Sequence, residues 1–113
     1  MFARSCCFLF VVGAAPVASA LDQSYSEVIA FNGKLYATLN QTLTRCSAQK
    51  ISKYSVDSLR NVYDPGEEIR IFDLAADAEN AIWNRAKPDE LTKLCAESIR
   101  VNGPFGSKWL AAR

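Results

Sequence analysis

Residues 26–46 read SEVIAFNGKLYATLNQTLTRC, and their apolar spacing is helical. Val28, Phe31, Leu35, Leu39, Leu43 and Cys46 follow one another at steps of three or four. That places them on one face of an amphipathic helix. Ser24 or Ser26 is the expected cap, with Glu27 in the first turn where a negative charge is favoured. Cys46 closes the stripe, so its thiol is expected to face the core. Gly33 sits inside the helix at a cost of about 1 kcal/mol against alanine, which marks a place where something packs closely.

Toward the C-terminus, Ile51 and Tyr54 would prolong the stripe. Val56, Leu59 and Tyr63 predict a short second helix capped by Ser55. Asp64-Pro65-Gly66-Glu67 is a clear boundary: Pro65 suits a first helical position, and Asp64 with Glu67 resembles a capping box. A third helix is expected from Pro65 to Ala86. Its apolar residues, among them Ile69, Phe72, Leu74, Ala76, Ile82 and Trp83, surround it broadly, as a central helix requires. Lys87-Pro88-Asp89-Glu90 opens a fourth helix, with Leu91, Leu94, Cys95, Ser98 and Val101 on one face. Asn102-Gly103-Pro104 ends it. The remaining residues carry Trp109 and Leu110, which either dock on the bundle or are offered to a partner. No segment alternates with period two. The expected fold is therefore all-α, a small four-helix bundle.

Toward the N-terminus, residues 1–20 read MFARSCCFLFVVGAAPVASA. Arg4 is followed by the apolar run Cys6–Val12 and by Ala18-Ser19-Ala20, the pattern of a cleaved secretory signal peptide. The run is shorter than the roughly 20 residues a membrane span needs; the alternative is an N-terminal anchor. The expected organisation is a signal peptide over 1–20, then one helical domain over 21–113 in the periplasm or secreted, with no membrane contact after cleavage. Loss of Arg4 balances the remaining 12 basic residues against 12 acidic ones. Nothing then suggests a phosphate-backbone binder, so nucleic acid is not an expected partner.

Cys6 and Cys7 leave with the signal, which retains Cys46 and Cys95. An even pair in an oxidising compartment is most simply one disulfide. Its loop of about 50 residues would constrain the unfolded chain by about 4 kcal/mol. The competing readings are an intermolecular disulfide and a redox-active pair, the latter without C-x-x-C spacing.

The 113 residues contain no histidine. That excludes Ser-His and Cys-His catalytic pairs, histidine zinc ligands and a proximal haem histidine. No metal or cofactor site is expected. A hydrolase would have to use carboxylates, and the one candidate is Glu79. It falls among Phe72, Ala76, Ile82 and Trp83 on a helical projection, where burial could raise a carboxyl pKa. The plainer reading pairs it with an arginine of a neighbouring helix or sets it at the edge where the stripe meets solvent; the remaining one is a role in partner recognition. Asn40-Gln41-Thr42 matches a glycosylation acceptor pattern but lies mid-helix. On the surface, Asp64, Glu67 and Glu68 form an acidic cluster, with Lys50, Lys53 and Arg60 basic just before it. Either these are solvated, or they form a charged edge that speeds docking of a complementary protein.

Leu43-Thr44-Arg45-Cys46 and Leu91-Thr92-Lys93-Leu94-Cys95 resemble segments of small periplasmic immunity proteins of bacterial type VI secretion systems, the amidase-immunity families. The resemblance covers about ten residues. It implies a small exported helical protein that plugs the cleft of a peptidoglycan-cutting amidase. A second resemblance, to acid-stress periplasmic chaperones, departs at the long helix before Cys46. The expected function is therefore a binding protein and not an enzyme, an inhibitor or immunity protein, with Asp64, Glu67, Glu68 and Trp109 as candidate partner contacts. The alternatives are a stress chaperone or accessory subunit, and a carboxylate hydrolase. A homodimer is also compatible with so small a bundle.

Overall fold

The computed structural model describes residues 3–47, 49–52 and 55–112, with side chains from Ser24 onward. Lys53 and Tyr54, expected to extend a basic cluster and an apolar stripe, lie outside the described residues. The described chain is mostly helical. Its elements are α1 (Ala3–Arg45), β1 (Gln49–Ile51), α2 (Asp57–Asn61), α3 (Ile69–Arg85), α4 (Pro88–Asn102) and β2 (Leu110–Ala112).

α1 runs unbroken through the expected capping serines, across Gly13 and Pro16. It is the element on which the others pack, and it uses three faces. Toward α3 it presents Gly33, Thr38 and Gln41. A Cβ on Gly33 would collide with the backbone carbonyl of Phe72, so the glycine is what lets the two helices approach. Toward α2 and the ribbon it presents Leu39, buried with Val56 and Leu110 and flanked by Leu35, Tyr36 and Leu43. Toward α4 it presents Thr42 and, just beyond its end, Cys46. Sharing its surface this way corrects the single stripe read from spacing. Ile29 is fully buried, whereas Val28 and Phe31 stand exposed.

α3 begins at Ile69, four residues later than expected. The Asp64–Pro65 peptide is cis, and the segment turns, with the Gly66 N–H donating to the Tyr63 carbonyl. No capping box forms there. α3 buries one stripe, Phe72, Ala76, Glu79 and Trp83, and leaves Leu74 and Ile82 exposed. It is thus a one-sided helix laid on α1, and α1 takes the central place assigned to α3 from its composition. The Phe72 ring lies 5.3 Å from that of Tyr36 and 5.5 Å from that of Tyr63.

α4 follows its local signals. Pro88 occupies the first turn, and the Glu90 carboxylate accepts from the Lys87 N–H at 2.8 Å. The Gly103 N–H closes the last turn on the Ile99 carbonyl at 2.8 Å. Cys46 and Cys95 form a disulfide with their Cα atoms 5.7 Å apart. It ties the end of α1 to the middle of α4; Cys46 is buried and Cys95 half-buried.

The second helix is short, as expected, and one feature departs from an all-α reading. α2 is five residues long; the Ser55 hydroxyl accepts from the Asp57 N–H, but the N-cap position expected of Ser55 falls on Val56, which makes no side-chain cap bond. The departure is a ribbon: β1 and β2 pair antiparallel, Gln49 with Ala112 and Ile51 with Leu110. The ribbon extends through the Ser52 N–H, which donates to the Trp109 carbonyl at 2.9 Å. Before β2 the chain reverses through Gly103–Lys108, where Lys108 takes a left-handed conformation with φ of 66°. The ribbon holds the tail against the core: Leu110 is buried, and half-buried Trp109 packs on the same cluster.

Candidate functional site

α3 and α4 both lie on α1, and between them a groove of about 400 Å³ remains. Phe31, Leu35, Ile82, Leu94 and Val101 supply its apolar walls, and Lys34 and Glu97 stand among its lining residues. Phe31, Ile82 and Val101 are 64%, 47% and 43% exposed. Three large apolar side chains therefore border one concavity, a pattern typical of surfaces that meet other molecules.

The groove also has polar lining. Glu79 keeps only 8% of its surface exposed. Its Oε2 accepts two hydrogen bonds, from the Thr38 hydroxyl at 3.0 Å and from the Trp83 indole N–H at 2.9 Å. These two neutral donors replace the arginine expected from the sequence. The Trp83 bond follows from i,i+4 spacing on one helix. The Thr38 bond required the docking of α1 on α3. Asn102 and Ser98, both buried, also line the groove. The Asn102 amide donates to the Ser98 hydroxyl at 3.4 Å. Ser98 and Thr42 share a bond of 2.6 Å. Because the Thr42 hydroxyl donates to the Thr38 carbonyl at 2.7 Å, its proton is committed, and Ser98 must be the donor to Thr42. The chain of bonds is therefore directed from α4 into α1. It also occupies Thr42, the third residue of the glycosylation pattern, which is fully buried.

Beside the groove, α1 and α3 meet through a polar seam. The Gln41 amide donates to Asn80 Oδ1 at 2.9 Å, and the Arg45 guanidinium donates to the Trp83 carbonyl at 2.7 Å. These bonds fix the register of the two helices that carry the groove walls.

The residues singled out from sequence lie elsewhere. Asp64 and Glu67 are exposed and Glu68 is half-buried, all in the turn before α3. Glu67 and Glu68 border a shallow depression with Ile71. Arg60, expected in an opposing basic cluster, is engaged by Asp73 through bonds of 3.1 and 2.9 Å, with Asp64 at 3.7 Å. The hydrogen bond to Asp73 holds the Arg60 guanidinium above its ordinary pKa. Lys50 is exposed on the ribbon. The acidic turn and Trp109 are thus not gathered into the groove. Sequence reading missed the groove residues as a set, although a helical projection had placed Glu79 in the apolar stripe of α3.

Among the described residues no helix is long and apolar enough to cross a membrane, and no three metal-ligating side chains gather. In comparisons with known proteins, the chain matches no protein-family model, no curated protein and no solved structure.

Proposed function

We propose that this chain is an exported helical binding protein that acts by protein–protein contact, and that its contact is an inhibitory one with a cell-wall-degrading enzyme. The observation that carries the reading is the groove between α1, α3 and α4, bordered by exposed Phe31, Ile82 and Val101. Apolar side chains held around a concavity gain by burial against a partner, at about 25 cal/mol per Å² of apolar area covered. A disulfide and a hydrogen-bonded seam hold the walls in place, which lowers the ordering cost of association.

Export fits the same picture. A disulfide persists in an oxidising compartment, and residues 1–20 are proposed as the cleaved leader, leaving 21–113 as a small disulfide-tied bundle in the periplasm or outside the cell. The catalytic alternative has less to stand on. Glu79, its candidate carboxylate, spends one oxygen on two donors from neighbouring side chains.

The test uses cell-wall amidases from the chain's own genome, exported one at a time to the periplasm of a bacterial host. Co-export of the chain is expected to suppress lysis by one of them. Suppression of none overturns the inhibitor reading.

A further inference from the structure

A carboxylate that gives up most of its hydration is costly unless a cation or several donors replace the water. At Glu79 both donors, Thr38 and Trp83, converge on Oε2. Oε1 receives no donor among the described residues, yet no buried side-chain oxygen is left without a partner. Oε1 therefore keeps some accessible surface, and Glu79 is one of the residues that line the groove. No ion pair to Glu79 forms among the described residues: Lys34, the basic residue of the lining, lies beyond ion-pair distance, and Glu97 on the same wall is already paired with Arg100 at 2.6 Å. The groove thus combines apolar walls with one carboxylate, Glu79, that has no ion-pair partner among the described residues.

We infer that the groove receives a helical segment of a partner protein that inserts one lysine or arginine toward Glu79 and lays apolar residues against Phe31, Ile82 and Val101. A basic side chain fits both parts of the surface, since its methylene stem covers apolar wall while its charged head meets Oε1. The three exposed apolar residues around the mouth require more surface than a small cation offers. Three helices flanking a groove also form the receptor of helix-in-groove recognition. This inference rests on the proposed reading as a binding protein and specifies the chemistry of the partner.

The probes are a helical peptide of roughly 14 residues with leucines along one face and a single central arginine, the same peptide with uncharged citrulline in that place, and N-hexylguanidinium. Each is titrated into the isotope-labelled full chain, with the indole N–H signals of Trp83 and Trp109 read by NMR. The arginine peptide is expected to shift the Trp83 signal saturably, leave that of Trp109 in place, and bind at least about tenfold more tightly than the citrulline peptide. Glu79→Gln is expected to remove that preference. Equal binding of the two peptides to the wild-type chain overturns the inference, whatever the folding of the variant, and leaves the binding-protein reading standing. Absence of binding, or N-hexylguanidinium binding as tightly as the arginine peptide, overturns it too. The last result identifies a small-cation site instead.

Discussion

Gly33→Ala tests the packing that creates the groove. In an isolated helix the substitution stabilises, because alanine is favoured over glycine by about 1 kcal/mol. Here the new Cβ would lie 3.0 Å from the Phe72 carbonyl carbon and 3.1 Å from its Cα, with the carbonyl oxygen closer still. Ordinary carbon contacts are about 3.5–4.0 Å. The obstructing atoms are helix backbone and not the end of a flexible side chain, so relief requires α1 and α3 to separate. Overpacking of this kind costs about 1–3 kcal/mol, and a rigid obstacle belongs at the upper end. The net expectation is a loss of about 2 kcal/mol after the propensity gain, a large fraction of the stability of a small domain. With a urea slope of about 1–2 kcal/mol per M, the midpoint should fall by about 1–2 M. Ala78→Gly, at an exposed position of α3, calibrates propensity alone and should cost about 1 kcal/mol. Opposite substitutions are thus both expected to destabilise. A Gly33→Ala midpoint above wild type would refute the close approach of α1 and α3.

Two further predictions concern the staple and a surface pair. The Cys46–Cys95 loop spans a sequence separation of 49, so reduction, or replacement of both cysteines by alanine, should lower unfolding stability by about 4 kcal/mol; coincident urea curves for the oxidised and reduced chains would refute this. Glu97 accepts two bonds from Arg100, and the hydrogen bond holds its carboxyl below the ordinary glutamate pKa. Its folded-state pKa is depressed, so the pair's contribution is present above the unfolded-state pKa of about 4.3 and is lost as pH falls through the folded value. An NMR titration should show the Glu97 midpoint rising in Arg100→Gln; an unchanged midpoint would show that the arginine does not set it.

Features fixed by neighbours in the chain were legible in the sequence. α4 was readable at both ends because Pro88, Glu90 and Gly103 act locally. The cysteine pairing followed from counting, and Gly33 announced a close contact before its partner was known. The ribbon was not legible. Its strands are three residues long, too short for a period, and Leu110-Ala111-Ala112 has no strand preference of its own; it becomes a strand by pairing with Gln49–Ile51. The start of α3 was misplaced because proline suits a turn as well as a first helical position. The exposure of Phe31 could not be read either, since spacing reports which residues share a face but not which neighbour covers it. The same limit hid the groove, which exists only through the relative placement of three helices. In Glu79 the unusual position was visible, whereas the second donor, Thr38, comes from a residue 41 positions away.

The most direct test of the account places a charge in the groove wall. Ile82→Asp and Val101→Asp change exposed or half-open lining residues and should leave the helices and the disulfide in place, as judged by circular dichroism and thiol titration. In the host protected by the wild-type chain against a co-exported amidase, both variants are expected to lose protection. If either variant folds, retains its disulfide and protects as well as wild type, the groove is not the contact surface and the central claim is contradicted.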